Sequence, residues 1–101
     1  MEVAVALDLE HAETRVIHDL VDFTDRDVLE VGCGDGRMTW RFAQRARSVL
    51  GLDPAAAAIE TARRAVPIGL GAKVRFQVAD ITTIQLPQAA FDVVVFSWSL
   101  C

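Results

Sequence analysis

Apolar residues recur along this chain in two rhythms, and the changes between them set out its elements. Over residues 9–23, Val16, Ile17, Leu20 and Val21 fall at helical spacing with charges between them, which predicts an amphipathic helix. A polar turn follows from Asp25 to Asp27. Val28-Leu-Glu-Val31 is a short apolar run holding one acid, with glycine directly after it, and it predicts a buried strand. Residues 36–47 alternate Arg with apolar groups; Met38, Phe42 and Ala46 share one helical face. Ser48-Val-Leu-Gly-Leu52 predicts a second strand. Pro54 suits the first turn of a helix, where a missing N–H is harmless. That Ala-rich helix runs through Ala65 and stops before Pro67. Ile68 to Ala72 is a glycine-containing turn. Val74, Phe76 and Val78 alternate with polar residues and predict a third strand. Residues 81–90, with Pro87, predict a loop, and Phe91-Asp-Val-Val-Val-Phe96 a fourth strand.

Strands alternating with helices imply right-handed crossovers and a parallel sheet, an α/β architecture. Ligands of such sheets bind in the crevice at the carboxyl ends of the strands. The residues that follow each strand therefore carry the functional expectations: Gly32 to Gly36, Asp53, Asp80, and Ser97 to Ser99.

Composition narrows the class. The chain has 101 residues, enough for one domain at most, and 52% of them are apolar against 24% charged, which excludes disorder as the default. A net charge of −4 gives no electrostatic grip on nucleic acid or on an anionic membrane. Cys33 and Cys101 do not suggest a disulfide framework. Met1 to Asp8 lacks the basic start of a signal peptide, and no apolar run spans a bilayer. A cytoplasmic protein without membrane contact is expected. His11 and His18 lie about two turns apart on the first helix, a spacing that does not favour a metal pair, and no metal site is expected.

Gly32-Cys-Gly-Asp-Gly36 sits between a strand and a helix. Three alternate glycines let the backbone turn tightly and approach a ligand, and the next helix turns free N–H groups toward it. One glycine would suffice for a plain tight turn. The dinucleotide fingerprint Gly-x-Gly-x-x-Gly is not met, because Arg37 stands where its third glycine would be. Asp53 ends the second strand. Its two carboxylate oxygens match the two hydroxyls of a ribose; it also fits as N-cap of the helix beginning at Pro54. Asp80 follows the third strand, where a turn-forming role is equally open.

The stretch Val28-Leu-Glu-Val-Gly-Cys-Gly-Asp-Gly36 resembles motif I of the class I S-adenosylmethionine-dependent methyltransferases. Val49-Leu-Gly-Leu-Asp53, Phe76-Gln-Val-Ala-Asp-Ile81 and Phe91-Asp-Val-Val-Val-Phe-Ser-Trp-Ser-Leu100 resemble the family's later strand ends, in the family's order. The resemblance implies a Rossmann-like doubly wound parallel sheet, with this chain supplying strands in the order 3-2-1-4 and stopping after the fourth. Residues 1–101 would then be a partial domain: a helix over 9–23 and a cofactor-binding half over 28–101. It implies S-adenosyl-L-methionine as cofactor. The glycine loop, Gly32, Cys33, Gly34 and Gly36, would pack on the methionine part, with Glu30 organising the site around its amino group. Asp53 and Pro54 would lie at the ribose, Asp80 and Ile81 at the adenine, and Ser97 toward cofactor or substrate.

Methyl transfer from a sulfonium needs mainly an in-line approach, worth roughly 7–11 kcal/mol from proximity, so no catalytic triad is required. Ser97-Trp-Ser-Leu100 departs from the Asn/Asp-Pro-Pro-Tyr segment of amino-methylating enzymes of nucleobases and glutamine, and a small-molecule acceptor is expected. Cys101 has no proline before it, unlike the nucleophile of cytosine-C5 enzymes. A non-catalytic remnant that binds the cofactor, or a partner through its open edge, is the second reading, and a nicotinamide-dependent oxidoreductase, disfavoured by Arg37, the third. The fourth strand is apolar throughout yet is expected at an edge, where it invites self-association.

Overall fold

Val28, Leu29, Glu30 and Val31 are all buried. A strand with no exposed face belongs inside a parallel sheet, covered on both sides. The structure, a computed structural model, describes residues 2–5, 21–80 and 90–97. They form one five-stranded sheet of β1 (Glu2–Val5), β2 (Asp27–Val31), β3 (Ser48–Asp53), β4 (Val74–Val78) and β5 (Val93–Phe96), in the order β1-β5-β2-β3-β4. Every pairing is parallel. The four predicted strands thus stand in the order 3-2-1-4 of a Rossmann-like sheet. β4, at an edge, alternates buried Val74 and Phe76 with exposed Arg75 and Gln77, the signature of a strand with one wet face.

β1 is the element missing from the sequence reading. Glu2 to Val5 pairs residue by residue with Val93 to Phe96. The fourth predicted strand is therefore not the exposed edge that was expected, and the self-association argued from that edge loses its basis. Ladder hydrogen bonds to β1 occupy the groups that an open edge would offer a partner.

Parallel strands need crossovers, and two short helices lie on them: α1 (Trp40–Ala43) between β2 and β3, and α2 (Ala56–Arg64) between β3 and β4. The helix expected over 36–47 is shorter, being bracketed by turns at residues 37–39 and 44–45. Lys73, the sole lysine, secures its far end by donating from Nζ to the carbonyls of Gln44 at 2.8 Å and Ala46 at 2.9 Å. α2 buries Ile59 and Ala62, three apart on one face. These side chains join Phe42, Ala43, Val28, Val49, Phe76 and Val93 in the main core. Leu29, Val31, Leu52 and Val94 form a second cluster.

Of the helix expected over 9–23, residues 21–23 are described and are not helical; the rest lies outside the described residues. Val21 and Phe23 are buried on either side of exposed Asp22, and a turn at residues 24–25 leads into β2. Phe23 stacks on Phe42 with centroids 4.7 Å apart. At the start of β2, Asp92 joins β5 to the sheet: Asp27 N donates to its carboxylate and its own N donates to the Asp27 carbonyl, both at 2.8 Å. Asp27 also accepts from Arg47 and Ser48 at 2.6 Å each.

Candidate functional site

The carboxyl ends of β2, β3 and β5 converge on residues 32–36. Gly32, Gly34 and Gly36 have φ of +77°, +55° and +88°, a region that side chains rarely adopt. Gly36 has a further reason to lack a side chain. A Cβ on Gly36 would lie 3.0 Å from the Trp40 ring and 3.3 Å from Ala62, so the close packing of loop on helix depends on it. A Cβ on Gly34 would meet nothing within 4 Å, so there the backbone faces open space.

The loop is tied to β3 by its amides. Gly32 N and Cys33 N donate to the Leu52 carbonyl at 2.8 and 3.1 Å, and Gly34 N donates to Asp53 Oδ2 at 2.9 Å. Asp53 Oδ1 accepts from Ala55 N at 2.9 Å. α2 begins only at Ala56, with Ala55 in the cap position, so Asp53 does not cap that helix, and Pro54 precedes it as an exposed residue. The early start expected at Pro54 fails because Ala55 is still extended, at ψ 104°.

Beneath the loop lies Glu30, fully buried. Thr39 Oγ1 donates to its Oε1, and Ser97 Oγ donates to its Oε2 at 2.6 Å. Ser97 Oγ also lies 3.2 Å from the Gly32 carbonyl, and Ser97 N donates to the Val31 carbonyl. Burial pushes the Glu30 carboxyl up to about 7; the Ser97 and Thr39 hydroxyls oppose that rise, and the Asp53 charge adds to it. The Cys33 thiol is pushed well above its ordinary value, first by burial and then by the charges of Glu30 and Asp53. It is a packing group rather than a nucleophile.

Of the residues expected at the site, Glu30, Gly32, Cys33, Gly34, Gly36, Asp53 and Ser97 form one connected cluster. Asp80 is exposed beyond β4, the strand next to β3, where Ala79 N donates to the Asp53 carbonyl at 3.1 Å. Ile81, Trp98 and Cys101 lie outside the described residues, as do His11 and His18. Two residues of the site went unread in the sequence. Thr39 gives one hydroxyl among the apolar positions of a helical face. Gly51 interrupts an apolar strand, a sign of close approach, and its missing Cβ would lie 2.7 Å from Phe76 and 3.0 Å from Cys33 Sγ.

A strand, a glycine loop after it and an acid at the next strand end also occur in nucleotide enzymes of other kinds. Comparison with known proteins separates them: the family model described as a methyltransferase domain matches residues 28–101. The chain belongs to the class I S-adenosylmethionine-dependent methyltransferases. It is similar to an uncharacterized methyltransferase of Mycobacterium tuberculosis, with 42% identity over 73 residues, 72% of this chain and 36% of that protein. It thus spans about a third of the length of that curated relative. Among solved structures it is similar to phosphoethanolamine N-methyltransferase 1 of Haemonchus contortus, in complex with phosphoethanolamine and S-adenosylhomocysteine. That likeness has a TM-score of 0.73 and 29% identity, covering 82% of this chain and 17% of that one. It is similar as well to CalS10, an amino pentose methyltransferase from Micromonospora echinaspora, bound to S-adenosylmethionine. There the TM-score is 0.63 and the identity 30%, covering 84% and 33%.

S-adenosylmethionine is the cofactor of this methyltransferase family, and the residues present fit it. The open side of Gly34 leaves room for a ligand against the backbone. Asp53 accepts one hydrogen bond from a backbone amide on each oxygen and keeps further acceptor capacity on both. Among the described residues, no helix is long and apolar enough to cross a membrane.

Proposed function

We propose that this chain binds S-adenosylmethionine on the loop of residues 32–36, and that the whole protein transfers its methyl group to a small-molecule acceptor in the cytoplasm. One observation carries the reading: Gly34 has its amide fixed on the Asp53 carboxylate and its other side open. The loop is thereby preformed for a ligand to lie along its backbone, which lowers the ordering cost of binding.

When bound, the cofactor supplies an electrophilic methyl group on a sulfonium. Glu30, buried beneath the loop, organises the site around the ligand's amino group, Asp53 and Pro54 border the ribose, Asp80 and Ile81 the adenine, and Ser97 the methionine end beside Gly32. The phosphoethanolamine and amino pentose named for two similar structures support a small acceptor. Among the described residues, the groups that bond Glu30 are two hydroxyls, so the cluster organises and orients rather than transferring protons to an acceptor.

Calorimetric titration of the chain with S-adenosylhomocysteine, beside an Asp53→Ala variant, tests the cofactor site. Saturable binding that the variant loses is expected. A folded chain that takes up no S-adenosylhomocysteine overturns the reading.

A further inference from the structure

Thr39 occupies the N-cap position of α1, where a threonine hydroxyl ordinarily accepts from a backbone amide of the first turn. Here it makes no such bond, and its backbone is already helical at φ −54°, ψ −42°. The side chain is fully buried, and its hydroxyl turns back to Glu30 Oε1. A residue that could cap a helix serves instead the acid under the glycine loop.

We propose that Thr39 is a positioning residue for the cofactor site: opposite Ser97, its hydroxyl fixes the Glu30 carboxylate beneath the loop and ties the loop's ligand affinity to that carboxylate's charge. This rests on the cofactor reading above. The two donors come from different elements, the turn before α1 and the residue after β5, and each serves one oxygen. A hydroxyl has a single proton. While Glu30 is ionised, both hydroxyls point to it. Once Glu30 is protonated, the Ser97 proton has a second acceptor in reach, the Gly32 carbonyl at 3.2 Å. Gly32 opens the glycine loop, so the charge on Glu30 reaches the loop backbone through Ser97, and Thr39 favours the charged arrangement. The groups facing Glu30 from the packed elements act the other way: the Asp53 carboxylate from the end of β3 repels its charge, and the Cys33 thiol from the loop supplies no compensating cation.

Thr39→Val removes the hydroxyl at nearly constant volume, Thr39→Ser keeps it, and Ser97→Ala removes the opposite donor. Two readouts apply: carbon-13 NMR titration of the Glu30 carboxyl in the ligand-free chain, and S-adenosylhomocysteine affinity measured across neutral pH. In the wild-type chain affinity should rise with pH as Glu30 ionises, near pH 7. Thr39→Val should move both midpoints upward and weaken binding at neutral pH roughly tenfold, since a bond to a charged group is lost. Binding should recover at higher pH. Thr39→Ser should match the wild type, and Ser97→Ala should shift the Glu30 midpoint in the same direction as Thr39→Val. An unmoved Glu30 midpoint in Thr39→Val and Ser97→Ala, or an affinity loss equal at every pH, overturns the proposal. A Thr39-dependent midpoint in a chain that binds no S-adenosylhomocysteine overturns the cofactor reading and the ligand role together. Normal binding with an unmoved midpoint overturns the positioning role alone.

Discussion

The amide of Gly34 donates to Asp53 Oδ2 at 2.9 Å across the gap between the glycine loop and the end of β3. The loop's open backbone and the acid expected at the ribose are therefore one mechanical unit. Asp53→Ala removes that tie together with the bond to Ala55 N. Bonds to a charged group contribute about 1.5–3 kcal/mol. Binding of S-adenosylhomocysteine should weaken at least tenfold, and the Gly34 amide should exchange with solvent faster even without ligand. Unchanged Gly34 exchange in the variant would show that the loop holds its shape without Asp53.

Gly34 and Gly36 share left-handed backbone angles but differ in surroundings, so the same substitution should fail in different ways. Gly36→Ala combines φ +88° with a contact of 3.0 Å to Trp40. It should lower stability by about 2 kcal/mol or more, from backbone strain and overpacking. Gly34→Ala at φ +55° enters open space and should cost only about 1 kcal/mol of strain. Its methyl, however, occupies the face offered to the ligand. Thermal unfolding should therefore single out Gly36→Ala, and calorimetry should show Gly34→Ala stable but impaired in binding. Equal stability losses in the two variants would contradict this assignment.

The sheet core was legible because it depends on local pattern. Apolar runs at β2 and β5, and the alternation at β4, state their own burial, and the glycines and acids follow the strand ends that parallel topology makes important. What was not legible depended on partners distant in sequence. Glu2 to Val5 reads as a strand only once Val93 to Phe96 lies beside it. Val21 fits a helical count, yet residues 21–23 are not helical, and Phe23 instead stacks on Phe42, nineteen positions on. Thr39 looked like one hydroxyl on an apolar face, because nothing in its neighbours announces a carboxylate nine positions back.

Gly51 shows the same dependence on distant partners in a form that mutation can test. Its position in β3 lies under the Phe76 ring of β4, where an added Cβ would stand 2.7 Å from one ring carbon and 2.9 Å from another. Phe76 also packs edge-on against Trp40, with centroids 5.6 Å apart, and cannot swing aside without disturbing the turn that carries Thr39. Gly51→Ala should destabilise the fold by about 1–3 kcal/mol. Adding Phe76→Leu should restore part of that loss, a coupling that a double-mutant cycle reads directly. Strict additivity of the two substitutions would rule out the proposed clash.

Glu30 also makes stability depend on pH, with a definite sign. Burial raises its carboxyl from 4.5 to about 7 in the folded chain. The native state then holds a proton that the unfolded chain has released, so folding is favoured at low pH. That contribution is complete below about 4.5 and is lost as pH rises through about 7. At roughly 1.4 kcal/mol per pKa unit, the full swing is on the order of 3 kcal/mol. Asp27 works in a separate window. The Arg47 and Ser48 bonds lower it to about 2, so its contribution is present above 3.8 and lost as pH falls toward 2. Between these windows the unfolding midpoint should peak and then decline toward neutral pH. Glu30→Gln, which cannot ionise, should abolish the decline on the alkaline side and leave the acid side unchanged. A decline of the same steepness in Glu30→Gln would assign it to another group.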